Sequence, residues 1–308
     1  MMESQVDREL LEKIADLIGK PVGAFNIRKD TGCDGRQSTE NIQITGKTDG
    51  KSGIDIRIKD GTKGEQCHIP VIITKPGIQE LVYNDFYIGE NCDVDIVAGC
   101  GIHNCGGEDS RHDGIHTFYV GKNARVRYVE RHYGEGDGMG ENIMNPTTVV
   151  EMQEGSYMEM ETTQIKGVDS TVRTTRATLG PAATLIIKEK VMTHGKQLAK
   201  SDFTVDLNGE GCHTNVISRS VAKGESKQVF LARINGNAAC YGHSECDAII
   251  MDKGVVSAIP EVTANCLDAQ LIHEAAIGKI AGEQLTKLMT LGLTEKEAEE
   301  QIVNGFLK

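Results

Sequence analysis

Apolar residues in this chain recur at two periods, and the change from one to the other divides it. Over residues 6–18, Leu10, Leu11, Ile14, Leu17 and Ile18 share one helical face, while Asp7, Arg8, Glu12 and Lys13 share the opposite one. That spacing predicts an amphipathic helix docked on a larger body, ended by Gly19 and Pro21. From residue 40 to residue 265 the period falls to two. Ile42 and Ile44, Ile54, Ile56 and Ile58, Val94 and Ile96, and Val126 and Tyr128 alternate with polar neighbours, as strands with one buried face do.

A longer repeat underlies the alternation. Cys92, Ala124, Ser156 and Ala183 each open the same pattern: a small residue, a polar one, then apolar alternation. Looser copies open at Cys212 and Ala238, and a last one at Ala269. The copies are about 30 residues apart and follow Gly/Asn turns, the mark of stacked coils that cannot bury an apolar face singly. A β-sandwich is the competing architecture, but its strands come at shorter spacing. The expected fold is therefore mainly β: a right-handed parallel β-helix with an N-terminal helix and two C-terminal helices, a helix capping each end.

Near the C-terminus the helical period returns. Leu285, Leu288 and Met289 form one stripe, and Leu291, Gly292 and Leu293 mark a break. Thr294 and Glu297 then fit a capping box, with Leu293 and Ala298 as its hydrophobic staple. Ala298, Ile302, Val303 and Phe306 line the second helix. Two helices this short need a surface to lie on, or a partner that supplies one. The expected division is an N-terminal helical segment (1–39), a β-helix core (40–268) and a C-terminal helical domain (269–308).

Charge narrows the partners. Lys and Arg number 33 against 45 Asp and Glu, a formal −12, which argues against nucleic acid because neutralising phosphates takes a basic face. No apolar run approaches the ~18 residues of a membrane span, and the first residues lack a signal pattern, so the expected location is cytoplasmic. In that compartment nine cysteines read as buried apolar residues, metal ligands or redox thiols rather than a disulfide framework. Trp is absent and aromatics make up 4%, so the core must be built from aliphatic side chains.

Two stretches concentrate chemistry. Cys100, His103, Cys105, His112, Asp113 and His116 lie close together in sequence, donors that suit zinc or iron, although the spacing is that of no zinc finger and the glycines among them also suit a turn. The Gly-rich residues 135–141 follow no clean strand and open no helix, so they are not a phosphate cradle. Further on, Cys240, His243 and Cys246 recur at intervals of three, and His273 and Glu274 follow the last repeat. In an extended chain those two side chains face opposite ways. From spacing alone, Cys246 and Glu274 are not tied together, and the cysteines are equally at home as small core residues.

The C-terminal motifs resemble the SufB/SufD scaffolds of the SUF iron–sulfur cluster assembly system. The resemblance is carried by Cys246 to Asp252, by Ile259-Pro260-Glu261, by His273-Glu274 and the residues to Ile280, by Gly282 to Leu285, by Leu291 to Ala298 and by Ile302 to Phe306. It implies a β-helix fold and a scaffold without turnover of its own, with ATP hydrolysis in a partner. It also implies a transient iron–sulfur cluster held by Cys246 and Glu274, with His273 in the same motif; Cys240 and His243 stand behind them. The implied partners are a SufC-like ABC ATPase docking on the C-terminal helices (Leu285, Leu288, Met289, Ile302 and Phe306), a second scaffold subunit forming a homodimer, a sulfur donor and apo-protein acceptors. The chain departs from the family where relatives carry a sulfur-receiving cysteine: that strand here reads Met152-Gln153-Glu154. Cys33, Cys67, Cys92, Cys100 and Cys105 are the candidates for another sulfur or iron site. Competing readings are a β-solenoid lyase or epimerase, disfavoured by the few aromatics, and a structural zinc protein using Cys100, His103, Cys105 and His112.

Overall fold

The computed structural model describes residues 4–308; Met1, Met2 and Glu3, the first residues of the stretch weighed above for a signal pattern, lie outside them. The chain passes back and forth between two parallel sheets, making a β-solenoid of about 8 turns. The first sheet stacks Lys63–Ile73, Asp93–His103, Arg125–Glu135, Tyr157–Lys166, Thr184–Thr193, His213–Ala222, Tyr241–Ile250 and Gln270–Gly278. Facing it stand Gly53–Ile58, Gln79–Ile88, Ser110–Val120, the pair Asn142–Met144 and Thr147–Met152, Ser170–Leu179, Leu198–Leu207, Lys227–Gly236 and Val255–Ala264. Ile, Val, Leu, Met and Phe side chains from both sheets form one continuous core.

The repeat has a structural cause. Cys92, Ala124, Ser156, Ala183 and Cys212 are each buried at a corner, one residue before a strand of the first sheet. The residue before each (Asn91, Asn123, Gly155, Ala182 and Gly211) has positive φ. A left-handed turn needs a small neighbour that fits inside the corner, which is why Gly and Asn precede a small residue. In the next coil that corner is Cys240, immediately before Tyr241, rather than Ala238.

The N-terminal end is closed. Helix α1 (Gln5–Ala15) starts at Ser4, whose side chain forms a capping box with Asp7, and buries Leu10, Leu11 and Ile14 on Phe25, Ile27 and Ile72. It passes so close to the first sheet that a Cβ on Gly99 would lie 2.7 Å from the Ile14 carbonyl oxygen. The helix is shorter than its apolar spacing suggests. Asp16 turns left-handed (φ 54), so Leu17 folds back while Ile18 is left exposed. Segment 1–39 is also not wholly helical: Ala24–Lys29 and Gly32–Gln37 form an antiparallel hairpin, and Ile42–Gly46 covers Gly53–Ile58 antiparallel. Both devices shield sheet edges.

The other end is open. Val255–Ala264 and Gln270–Gly278 are the last strands of their sheets and are mostly exposed. Helices α2 (Gly282–Thr290) and α3 (Glu295–Phe306) do not cap them. Helix α3 folds against the side of the solenoid, where Val303, Phe306 and Leu307 pack on Val221, Met192 and Ile249. The region after residue 268 thus begins with a solenoid strand and turns helical only at Gly282.

Candidate functional site

Parallel registry aligns equivalent positions of successive coils, so a polar residue at an inward position becomes part of a column. Glu130 stands beside Thr162, Thr162 beside Glu189, Glu189 beside Ser218, and Ser218 beside Cys246. All five are buried. Arg173 reaches in from the opposite sheet and donates from Nη1 to Glu130 at 2.5 Å, with its Nε 3.8 Å from Glu189. Ser201 and Ser218 donate to the two oxygens of Glu189 at 2.5 and 2.8 Å. Burial pushes the Glu130 carboxyl up, but the charges of Arg173 and His132 outweigh it and hold the group well below the usual carboxylate range.

Beyond Glu130 the polar interior continues toward the N-terminal end. His116 shares hydrogen bonds with Tyr128 Oη at 2.7 Å and Asn84 at 3.2 Å, and burial depresses its pKa to about 4. His112 meets Glu80 at 3.1 Å, and Arg28 holds the same carboxylate at 2.9 Å. Cys100, His112, His116 and His132 line a cavity of about 10 Å³, space on the order of one water.

Cys246 ends the column. It is 1% exposed, and burial, then Glu189 and Asp247, push its thiol up to about 12. Its register partner on the last strand, Ala275, is exposed, so Cys246 lies one strand below the open end. His273 pairs with Ser244, which puts it on the same inward face as Cys246. His273 Nδ1 and Ser244 Oγ are both buried without a hydrogen-bond partner among the described residues.

Glu274 lies on the other face. It pairs with Glu245 across the ladder, and its Oε2 is 3.7 Å from His243 Nε2. His243 Nδ1 is 2.9 Å from Asn215 Oδ1, so Nε2 is the ring nitrogen that faces the carboxylates. Ligand atoms of His243, Glu245 and Glu274 all lie within 4.8 Å of one another, a nitrogen and oxygen donor set of a kind that suits ferrous iron or zinc. The backbone of the first sheet separates this group from Cys246, so the two ligands paired by the resemblance do not meet within one chain.

The other candidates divide in the same way. Cys100, His112 and His116 are inside the solenoid, whereas His103 is partly exposed and Cys105 exposed. Cys100, His103, Cys105 and His112 therefore do not gather around one point, and the only metal-like cluster among the described residues is His243, Glu245 and Glu274. Cys240 is a buried corner residue of the repeat. Of the expected partner-binding residues, Leu285, Leu288 and Met289 belong to α2, which has no buried residue. Phe306 instead packs on the solenoid, and Ile302 is half-buried.

A family model described as "SUF system FeS cluster assembly, SufBD core domain" matches residues 82–306. This chain belongs to the SufBD family. The match runs from the strand Gln79–Ile88 to the end of α3 and so takes in the polar column, Cys246, His273 and Glu274. Among relatives, an iron–sulfur cluster assembly SufBD family protein of Methanocaldococcus jannaschii is 31% identical over 275 residues, 88% of this chain and 86% of that protein. One from Archaeoglobus fulgidus is 30% identical over 89% of this chain and 73% of its own length. A Pyrococcus horikoshii relative is 26% identical over 94% and 88%. Iron–sulfur cluster assembly is thus the role that SufBD membership supports for this chain, and no helix among the described residues is long and apolar enough to cross a membrane.

Sequence reading missed Glu130, Arg173, Glu189 and Glu245. A signal existed for two of them: Glu130 follows Val126 and Tyr128, and Glu189 follows Leu185 and Ile187, in the inward phase of their strands, whereas Arg173 shares its phase with Thr171 and Thr175. Glu245 carried no such mark, because it lies on the outer phase where charge is ordinary.

Proposed function

We propose that this SufBD chain is a scaffold on which nascent iron–sulfur clusters are built and from which they are passed on. The observation that carries this reading is the buried polar column ending at Cys246 beside the open coil. Buried charge is expensive to maintain, and such groups collect at working sites more often than in plain cores. Cys246 serves as the thiolate ligand, with His273 beside it on the inner face; iron, as a Lewis acid, displaces the thiol proton that burial otherwise retains. Glu274, with His243 and Glu245, holds iron as incoming substrate on the outer face.

Two partners complete the reading. An ABC-type ATPase docks on α2, where Met289 is exposed and Leu285 and Leu288 are only half-buried, and ATP is hydrolysed there rather than on this chain. A second copy closes the open coil, whose last strands expose Val255, Ile259, Val262, Ile272 and Ile277; an uncovered strand edge is a ready site for such pairing. The test is anaerobic supply of ferrous iron and sulfide. The parent should develop visible charge-transfer absorption that Cys246→Ser and Glu274→Ala each weaken. If both variants reconstitute like the parent, the site is misplaced.

A further inference from the structure

The loop after the strand Asp93–His103 contains a second reactive constellation, remote from Cys246. Cys105 is exposed, and its Sγ is 2.9 Å from His103 Nε2. His103 Nδ1 is 3.2 Å from Glu135 Oε1, because parallel registry sets His103 directly beside Glu135. The second Glu135 oxygen is held at 3.1 Å by both Lys13 and Tyr133 Oη. Burial raises the Glu135 carboxyl, but these partners and His103 outweigh it and keep it ionised.

The loop itself is fixed. Asn104 is buried, accepts from the Gly106 N–H and donates to the Glu108 carbonyl. A thiol, an imidazole at its proton and a carboxylate behind the imidazole are the arrangement of an activated nucleophile. The ligand atoms of Cys105, His103 and Glu135 do not converge as a metal set among the described residues. Acyl transfer would need a converging pair of amide donors for an oxyanion, and the N–H groups on either side of Cys105, those of Asn104 and Gly106, are taken up by Glu135 and by the Asn104 side chain. Exchange between sulfurs needs no such donors, since the charge leaves on a thiolate.

We propose that Cys105, His103 and Glu135 form a sulfur-accepting site that takes a sulfane sulfur from a persulfide; the choice of substrate class rests on the assembly role proposed above. His103 Nε2 takes the Cys105 proton as Sγ attacks the terminal sulfur of R–S–S–H. The donor S–S bond breaks, R–S leaves and receives the proton from His103, and Cys105 carries the new persulfide. One sulfur atom moves, with no net oxidation or reduction. His103 and Glu135 act through the thiol as proton acceptor and positioning residue.

The test uses the full chain, free of iron and sulfide, treated with glutathione persulfide or iodoacetamide and mapped by peptide mass. Cys33 is the internal control, since it is exposed but has Asn26 rather than an imidazole beside its sulfur. At pH 7 Cys105 should gain one sulfur atom, or the alkyl group, at least about 100-fold faster than Cys33, the low end of general-base assistance. His103→Gln should remove that advantage, and Glu135→Gln part of it. Near pH 10, where thiols ionise unaided, His103→Gln should catch up, which a merely misfolded loop would not do. Equal rates for Cys105 and Cys33 at pH 7, or a His103→Gln chain as fast as the parent there, would overturn the proposal. Because no iron is present, a chain that fails to build clusters yet shows the fast thiol would leave this site standing, and the converse would remove it alone.

Discussion

Replacing Arg173 by Met tests whether the buried polar column behaves as the structure implies. Arg173 and Glu130 are 4% and 3% exposed, and Glu189 is the second carboxylate within reach of the guanidinium. Met keeps most of the volume and removes the charge, so the loss is electrostatic rather than a cavity. Breaking a buried pair from one side costs about 3–5 kcal/mol, because the remaining charge is left without compensation. The pH dependence should also reverse. In the parent, the depressed Glu130 pKa contributes stability that is complete above the unfolded value of about 4.3 and is lost as pH falls through the folded value. Without Arg173, burial dominates and raises Glu130 above its unfolded value. Its contribution is then present below about pH 4.3 and lost as pH rises. Urea unfolding at pH 4 and pH 7 measures both, and hydrogen exchange in Arg125–Glu135 and Ser170–Leu179 localises the loss, since coils of a solenoid respond mainly with their neighbours. Adding Glu130→Met should recover part of the stability. A single variant within about 1 kcal/mol of the parent, or with the same pH slope, would refute the reasoning.

Two further outcomes follow from packing and burial. Gly134→Ala should destabilise strongly, because its Cβ would lie only 1.8 Å from the Gly167 carbonyl oxygen; a melting curve matching the parent would show that the coils can part there freely. Cys246, with its thiol pushed up to about 12, should resist iodoacetamide at pH 8 in the native chain and react once urea unfolds it. Labelling as fast as that of exposed Cys33 would mean that the open end already admits solvent to it.

The alternation of Ile54, Ile56 and Ile58, and of Val94 and Ile96, was enough to identify strands, because a two-residue period is a local property of extended backbone. The corner repeat at Cys92, Ala124 and Ser156 was equally legible, since a left-handed turn accepts only a few residue types and each corner a small one. The capping box at Thr294 and Glu297 forms as its spacing implies. Ile18 was misassigned because the helix stops where Asp16 turns, a choice made by docking rather than by spacing.

What the sequence by itself determined is therefore what short-range geometry encodes: strand phase, coil corners, helix caps, and the opposite facing of His273 and Glu274. The motifs added the family. Only the stacked structure decided which residues meet. Registry between coils aligned Glu130, Glu189 and Cys246 across residues far apart in the chain, joined His103 to Glu135, and gathered Glu274 with His243 and Glu245 on the far side of the sheet from Cys246. It also left the C-terminal coil open, because α3, one of the helices expected to cap it, found its apolar partners on the flank at Val221 and Ile249. Contacts between coils depend on the exact length of every intervening turn, and no window of sequence contains that sum.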